Sequence, residues 1–164
     1  MRRLFLVVAG TAVLACASTP AAQQTTATPQ TQNASEERAV RAVVDRLFDG
    51  MRTRDTTMMR SVFADEAQFY GLGRNGDVAI TTPTQFITGI SQAPPELVLD
   101  EVLHDVEIRI DGPLAVVWTY YDFFTGDDFS HCGYDAMQML KVRGEWKIVA
   151  LADTRRTEGC RQQR

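Results

Sequence analysis

Only two imidazoles occur in the 164-residue chain, His104 and His131, and imidazole is the side chain that exchanges protons nearest neutral pH. Each sits in a stretch rich in other hydrogen-bonding groups, His104 before a hairpin signal at Asp111-Gly112 and His131 in His131-Cys132-Gly133-Tyr134-Asp135. With a two-residue turn at Asp111-Gly112, Ile110 pairs with Pro113, and His104 falls opposite Thr119 with Tyr121 one pair along. The same face carries Val102, Val106, Ile108, Ala115, Val117 and Phe123, so His104 and Tyr121 form a polar island on an apolar surface. Two readings stand: a core histidine satisfied by Thr119, or a pocket acid–base group that anchors a ligand. The opposite face, with Leu103, Asp105, Glu107, Trp118, Tyr120 and Asp122, suits a surface that a second copy covers.

A second hairpin turns at Arg143-Gly144 and sets Asp135 opposite Ala152, Met137 opposite Ala150 and Tyr134 opposite Asp153. Which of its faces looks inward depends on the loop at 126–128. A three-residue loop turns His131, Asp135, Met137 and Met139 inward; a two- or four-residue loop turns Tyr134, Gln138 and Asp153 inward instead. The first register makes the more continuous apolar surface. On it His104, Tyr121, His131 and Asp135 converge into a set that can hydrogen-bond a carbonyl or move a proton. His104 and Asp135 are the candidate catalytic groups. The alternative is a structural polar network that ties the sheet together.

Other chemistries find no support. Gly71-Leu72-Gly73-Arg74-Asn75-Gly76 has the spacing of a dinucleotide motif, but a hairpin and a strand follow where a helix should open on the pyrophosphate. No serine lies in a nucleophile elbow, there is no H-E-x-x-H, and the two histidines are not spaced as metal ligands. No cofactor and no metal is expected. A formal charge of −4 argues against nucleic acid and against an anionic membrane surface, both of which need basic patches.

The elements that must position these groups follow from periodicity. Ser35 is a good N-cap with Glu36 and Glu37 in the first turn, ahead of a helical stripe of Val40, Val43, Val44, Leu47, Phe48 and Met51. Asp55 caps a second short helix carrying Met59, Val62 and Phe63. Ala67 to Gly73 reads as a strand, Asn75-Gly76 as a two-residue turn, and Val78 to Thr81 as its partner. Thr82-Pro83-Thr84-Gln85 is a capping box that opens a third helix to about Ile90. Beyond Pro94-Pro95 the period changes to two, giving strands over Leu97 to Ile110, Leu114 to Phe124, Phe129 to Val142 and Glu145 to Thr154. The order implies an α+β domain in which a curved antiparallel sheet wraps around N-terminal helices.

Ahead of this domain, Arg2 and Arg3 precede an uncharged run from Leu4 to Leu14, too short to cross a bilayer and suited to a bacterial export signal. Val13-Leu14-Ala15-Cys16 resembles a lipobox, with Cys16 as the lipidated residue; ordinary cleavage within Ala15-Cys16-Ala17 is the alternative. Without residues 1–15 the formal charge falls from −4 to −6. Residues 16–34, uncharged and rich in Thr, Gln, Ala and Pro, read as a disordered tether. The expected organisation is signal 1–15, tether 16–34 and folded domain 35–160. Location follows as the cell envelope, with the membrane touched through the lipid alone and outer-membrane sorting where two membranes exist. With Cys16 lipidated, Cys132 and Cys160 remain for a disulfide, which export permits.

Asp122-Phe123-Phe124, Ser130-His131-Cys132-Gly133-Tyr134-Asp135-Ala136, Gly144-Glu145-Trp146-Lys147-Ile148-Val149 and Asp153-Thr154-Arg155-Arg156 resemble, in this order, the nuclear transport factor 2 superfamily. The likeness is to its bacterial SnoaL-like and "putative lumazine-binding" members and spans about residues 35–158. It implies a cone-shaped α+β domain with a pocket between sheet and helices, commonly as a homodimer. It implies no single function, because the superfamily hosts isomerases, cyclases, dehydratases and plain binding proteins. The reading that results is an exported domain that binds an unidentified, largely apolar small molecule. The alternatives are an isomerase, cyclase or dehydratase using a pocket His or Asp, and a non-catalytic dimeric scaffold with a filled cone.

Overall fold

The computed structural model describes residues 29–164; the expected export signal, Cys16 and most of the tether lie outside the described residues. Two helices, a small hairpin and a third helix come first: α1 (Pro29–Thr53), α2 (Thr56–Ser61), β1 (Phe63–Leu72), β2 (Val78–Thr81) and α3 (Pro83–Gln92). A four-strand meander follows, β3 (Leu99–Asp111), β4 (Leu114–Thr125), β5 (Asp128–Val142) and β6 (Glu145–Asp153). The strands form one sheet in the order β2-β1-β6-β5-β4-β3. The sheet is mixed rather than wholly antiparallel, because β1 returns alongside β6 in parallel. Among the described residues, no helix is long and apolar enough to cross a membrane.

Helix α1 begins at Pro29, so Ser35 is not its cap and the end of the expected tether is helical. Proline suits a first helical turn, where its missing N–H would have no partner in any case. Glu36 therefore sits beyond the first turn, where it accepts from Lys141 Nζ at 2.6 Å and Trp146 Nε1 at 2.8 Å. This fastens the helix to the β5–β6 turn. The apolar stripe is as expected: Val40, Val44, Leu47, Phe48 and Met51 are all buried against the sheet. Asp55 caps α2 by accepting from Met58 N–H, and Thr82 with Gln85 makes the full capping box of α3. Phe63 leaves α2 and opens β1, and the β1–β2 connection is a longer loop closed by Gly73 N–H to the Asp77 carbonyl at 2.8 Å.

Three one-residue bulges in the meander decide which side chains face the helices. In the first hairpin Asp111 pairs with Leu114, with Gly112-Pro113 between them, so the turn lies one residue further on than expected. Asp105 and Val106 then face Thr119 alone, with Asp105 in the left-handed region at φ 52°, and His104 pairs with Tyr120. Thr119 Oγ1 donates to the His104 carbonyl at 2.9 Å and supports the bulge from within. Between β4 and β5 the turn has two residues, Thr125 pairing with Asp128, and an extra residue at Ser130 brings Phe123 opposite His131 and Thr119 opposite Asp135. That register equals the one a three-residue loop would produce. In the last hairpin an extra residue at Val149 puts Asp135 opposite Asp153 and Met137 opposite Leu151, in place of Ala152 and Ala150.

Candidate functional site

A cavity of about 340 Å³ opens between the helices and the inner face of the sheet. Leu47, Phe48 and Met51 from α1, Phe69 from β1, Phe86 and Ile90 from α3, and Leu151 from β6 give it apolar walls. Phe69 stacks on Phe86 with ring centroids 4.8 Å apart, which braces the hairpin against α3. The remaining lining is polar and comes from the meander: Glu101, Tyr121, His131, Asp135, Asp153 and Arg155.

Asp135 is buried as fully as Tyr121, each 2% exposed, and its Oδ2 has no hydrogen-bond partner. Burial raises its pKa to about 7, a shift that the charge of Asp153 increases and a hydrogen bond with Glu101 opposes. Glu101 is pushed well up, first by burial and then by the Asp135 charge and hydrogen bond. Two facing carboxyls with little water between them cannot both ionise, so the pair keeps a proton, and Glu101 is its stronger holder. Burial also raises Asp153, and Arg155 opposes that rise.

His131 lines the cavity beside Phe123, ring centroids 4.7 Å apart. Its Nδ1 lies 3.1 Å from Arg155 Nη2 and 3.0 Å from Ser130 Oγ. Arginine can only donate, so Nδ1 accepts and the neutral ring carries its proton on Nε2. Burial, then the Arg155 charge, lowers the His131 pKa to about 4, which makes it a neutral donor across the physiological range. Tyr121 also borders the cavity, but its hydroxyl donates to the Thr154 carbonyl at 2.8 Å. Burial raises its pKa, and the surrounding carboxylates add to the rise. Its role is to hold the β6 end in place.

His104 does not belong to this set. The Asp105–Val106 bulge turns it to the outer face, where its Nε2 lies 3.4 Å from Asp122 Oδ2 without aligning as a hydrogen bond. The expected quartet thus reduces to Tyr121, His131 and Asp135; Asp153, expected inward only in the alternative register, joins them, and Glu101 and Arg155 take part unforeseen. A blurred signal for Glu101 exists in the sequence: apolar residues alternate cleanly on even positions at Val106, Ile108 and Ile110, and that parity is lost at Leu103, Val102, Leu99, Val98 and Leu97. Such a change of parity marks a bulge. Trp146 and Ile148 followed by Leu151 carry the same signal ahead of Asp153.

The outer face is also less open than expected. Tyr120 and Asp122 are buried under the C-terminal segment, whose Arg161 N–H donates to Tyr120 Oη at 2.8 Å and whose Gln163 N–H donates to Asp122 Oδ2 at 3.1 Å. Trp118 stays 47% exposed and stacks on Tyr134 at 4.9 Å. Cys132 and Cys160 are joined, with Cα atoms 5.7 Å apart, and Cys132 pairs with Arg156 through two 2.9 Å backbone bonds. The segment that carries Arg155 into the cavity mouth is therefore pinned immediately behind it. Among the described residues no cluster of His, Cys, Asp and Glu has the arrangement of a metal site.

Helices closing one side of a curved mixed sheet recur in solved structures. An NTF2-like protein of unknown function from Shewanella baltica aligns over 76% of this chain and 97% of its own, with 21% identity and a TM-score of 0.60. A protein described as a "putative scytalone dehydratase" from Novosphingobium aromaticivorans aligns over 78% and 89%, with 12% identity and a TM-score of 0.64. A "putative dehydratase from the NTF2-like family" of Streptomyces avermitilis aligns over 76% and 98%, with 12% identity and a TM-score of 0.60. Identities this low establish the shared fold alone. No curated protein matches the chain. Residues 35–152, which hold α1 from Ser35 onward and nearly all of the sheet, match the family described as "Putative lumazine-binding". The chain belongs to that family, and its fold is the NTF2-like one.

Proposed function

We propose that the domain binds a small, largely apolar molecule in the cavity between helices and sheet. The observation that carries this is the cavity itself, apolar along its walls and ending on a buried carboxyl with an unpartnered oxygen. Sites of this volume and composition are what small-molecule recognition requires. A filled cone, the scaffold reading, has no support from a space of about 340 Å³. Native mass spectrometry of protein purified from its own host tests the proposal, with Ala79→Trp as comparison. Ala79 is an exposed residue at the cavity edge, so indole there blocks entry without disturbing the core. A bound small molecule on wild type that is missing from Ala79→Trp is expected; an empty wild type, or equal loading of both, overturns the reading.

One observation favours an enzyme of isomerase, cyclase or dehydratase type: Asp135 at about 7 is matched to proton transfer at neutral pH. Turnover lost in Asp135→Asn with binding retained would mark that case. Export and anchoring rest on the basic–apolar–Cys16 order. Labelled fatty acid should appear on wild type and vanish in Cys16→Ala. Homodimerisation is supported by exposed Leu114, Val116, Trp118, Leu140 and Val142 on neighbouring outer-face positions of β4 and β5. Sedimentation of wild type against Trp118→Lys tests it, and a wild-type monomer at micromolar concentration refutes it.

A further inference from the structure

The cavity holds more negative capacity than the protein answers. Glu101, Asp135 and Asp153 all line it, and each ion pair among the described residues lies between other groups. Arg155 stands at the exposed rim, and its Nη2 faces His131 Nδ1 at 3.1 Å, so its close contact is not with a carboxylate. The Asp135 Oδ2 atom is buried and unpartnered, in a residue only 2% exposed that lines the cavity. The one proton that Asp135 shares with Glu101 leaves this oxygen unanswered, and a buried acceptor without a partner calls for a donor that arrives from outside. A metal ion is a poor candidate, because these carboxyls do not form a ligand cluster and the walls around them are apolar.

We propose that the cavity is built for an organic ammonium: a protonated amine on an aromatic or alkyl body, its N–H groups directed at Asp135 and Glu101. This rests on the small-molecule reading above and names the class within it. Phe48, Phe69, Phe86 and Phe123 supply the surroundings for the apolar body. Ammonium carries three donors and no acceptor, matching a floor that offers carboxylate oxygens. A cation entering the site favours the ionised carboxyls, so binding near pH 6 should release protons that the empty pair retains. A carboxylate or phosphate ligand would instead meet like charge and be rejected.

The full chain is titrated by calorimetry at pH 7 with three probes of one shape: 2-phenylethylamine, 2-phenylethanol and 3-phenylpropionate. The expected order is amine at least tenfold tighter than alcohol, with no propionate binding. In Asp135→Asn the amine's advantage should shrink to within about twofold, and Glu101→Gln should reduce it in part. At pH 6 the apparent amine enthalpy should vary with the ionisation enthalpy of the buffer, in the sense of proton release. Circular dichroism checks that the variants fold. Alcohol or propionate binding as tightly as amine, or an amine preference that survives Asp135→Asn, overturns the proposal. Alcohol binding that Ala79→Trp blocks, with no gain for amine, overturns it while leaving the apolar-ligand reading intact. Failure of all three probes overturns it too, and the mass measurement then decides the broader reading alone.

Discussion

At Gly133 the backbone of β5 runs against the chain leaving β6, and a single methyl group there should unfasten the cavity mouth. A Cβ on residue 133 would stand 1.7 Å from the Thr154 carbonyl oxygen, 2.8 Å from its carbon and 2.8 Å from Tyr121 Cε1. Real Cβ atoms do not approach closer than 3.0 Å, so the two backbones must part by about 1.3 Å, the difference between 3.0 and 1.7 Å. Three hydrogen bonds cross that gap: Thr154 N–H to the Tyr134 carbonyl at 3.0 Å, Tyr134 N–H to Thr154 Oγ1 at 3.0 Å, and Tyr121 Oη to the Thr154 carbonyl at 2.8 Å. Each is worth roughly 0.5–1.5 kcal/mol net, and a buried tyrosine hydroxyl left without a partner costs about 1–3 kcal/mol more. Gly133→Ala should therefore destabilise by about 3–5 kcal/mol. Urea unfolding reads this as a midpoint lower by about 2 M at ordinary slopes. Gly89→Ala is the control, since nothing lies within 4 Å of its added methyl and Ala in a helix gains about 0.5–1 kcal/mol over Gly. A Gly133→Ala midpoint within experimental error of wild type would refute the close-approach argument.

Opening the Cys132–Cys160 link, by reductant or by Cys160→Ser, should lower stability by roughly 3–4 kcal/mol for the 28-residue separation it spans, read as a reductant-dependent urea midpoint. Asp135 has a folded-state pKa of about 7 against an ordinary 3.8, so the folded state binds more protons than the unfolded one between these values. Its contribution therefore turns unfavourable as pH rises from about 4 to 7, and Asp135→Asn should gain roughly 1–3 kcal/mol relative to wild type at pH 8 compared with pH 4. The check is the pH profile of urea midpoints for both proteins, and parallel profiles count against it. His104→Gln should leave 2-phenylethylamine affinity within twofold of wild type, because His104 lies on the outer face beside Asp122; a calorimetric loss of tenfold or more would place it back in the site.

Element types and their order were legible because they are written in local patterns, although α1 begins at Pro29 ahead of Ser35 and Phe63 opens β1 rather than closing α2. Asp55 and the Thr82–Gln85 box announce their helices through side-chain oxygens, and the meander strands announce themselves by alternation. His131 and Asp135 were placed inward correctly, although a two-residue turn plus an extra residue at Ser130 produces the register that a longer loop would have. His104, Glu101 and Asp153 were misplaced or missed for one physical reason. A bulge reverses every side chain beyond it, and hairpin arithmetic from the turn cannot sense it without tracking the parity of the apolar residues. The burial of Tyr120 and Asp122 was hidden for another reason, since it depends on a tail docked 41 residues away in sequence.

The three bulges make the cavity's chemistry a matter of counting. Closing the Asp105–Val106 bulge with both residues kept would shift the reading frame of the sheet edge, sending Glu101 outward and bringing Val102 and His104 in, with no side chain replaced. One lost bulge would thus exchange an acidic floor for an imidazole. Relatives that share this fold at 11–21% identity can differ in cavity chemistry through such frame changes alone. Position-by-position alignment of their polar residues then compares opposite faces of the sheet. In this scaffold, a new specificity is reachable by losing or gaining a bulge as readily as by substitution.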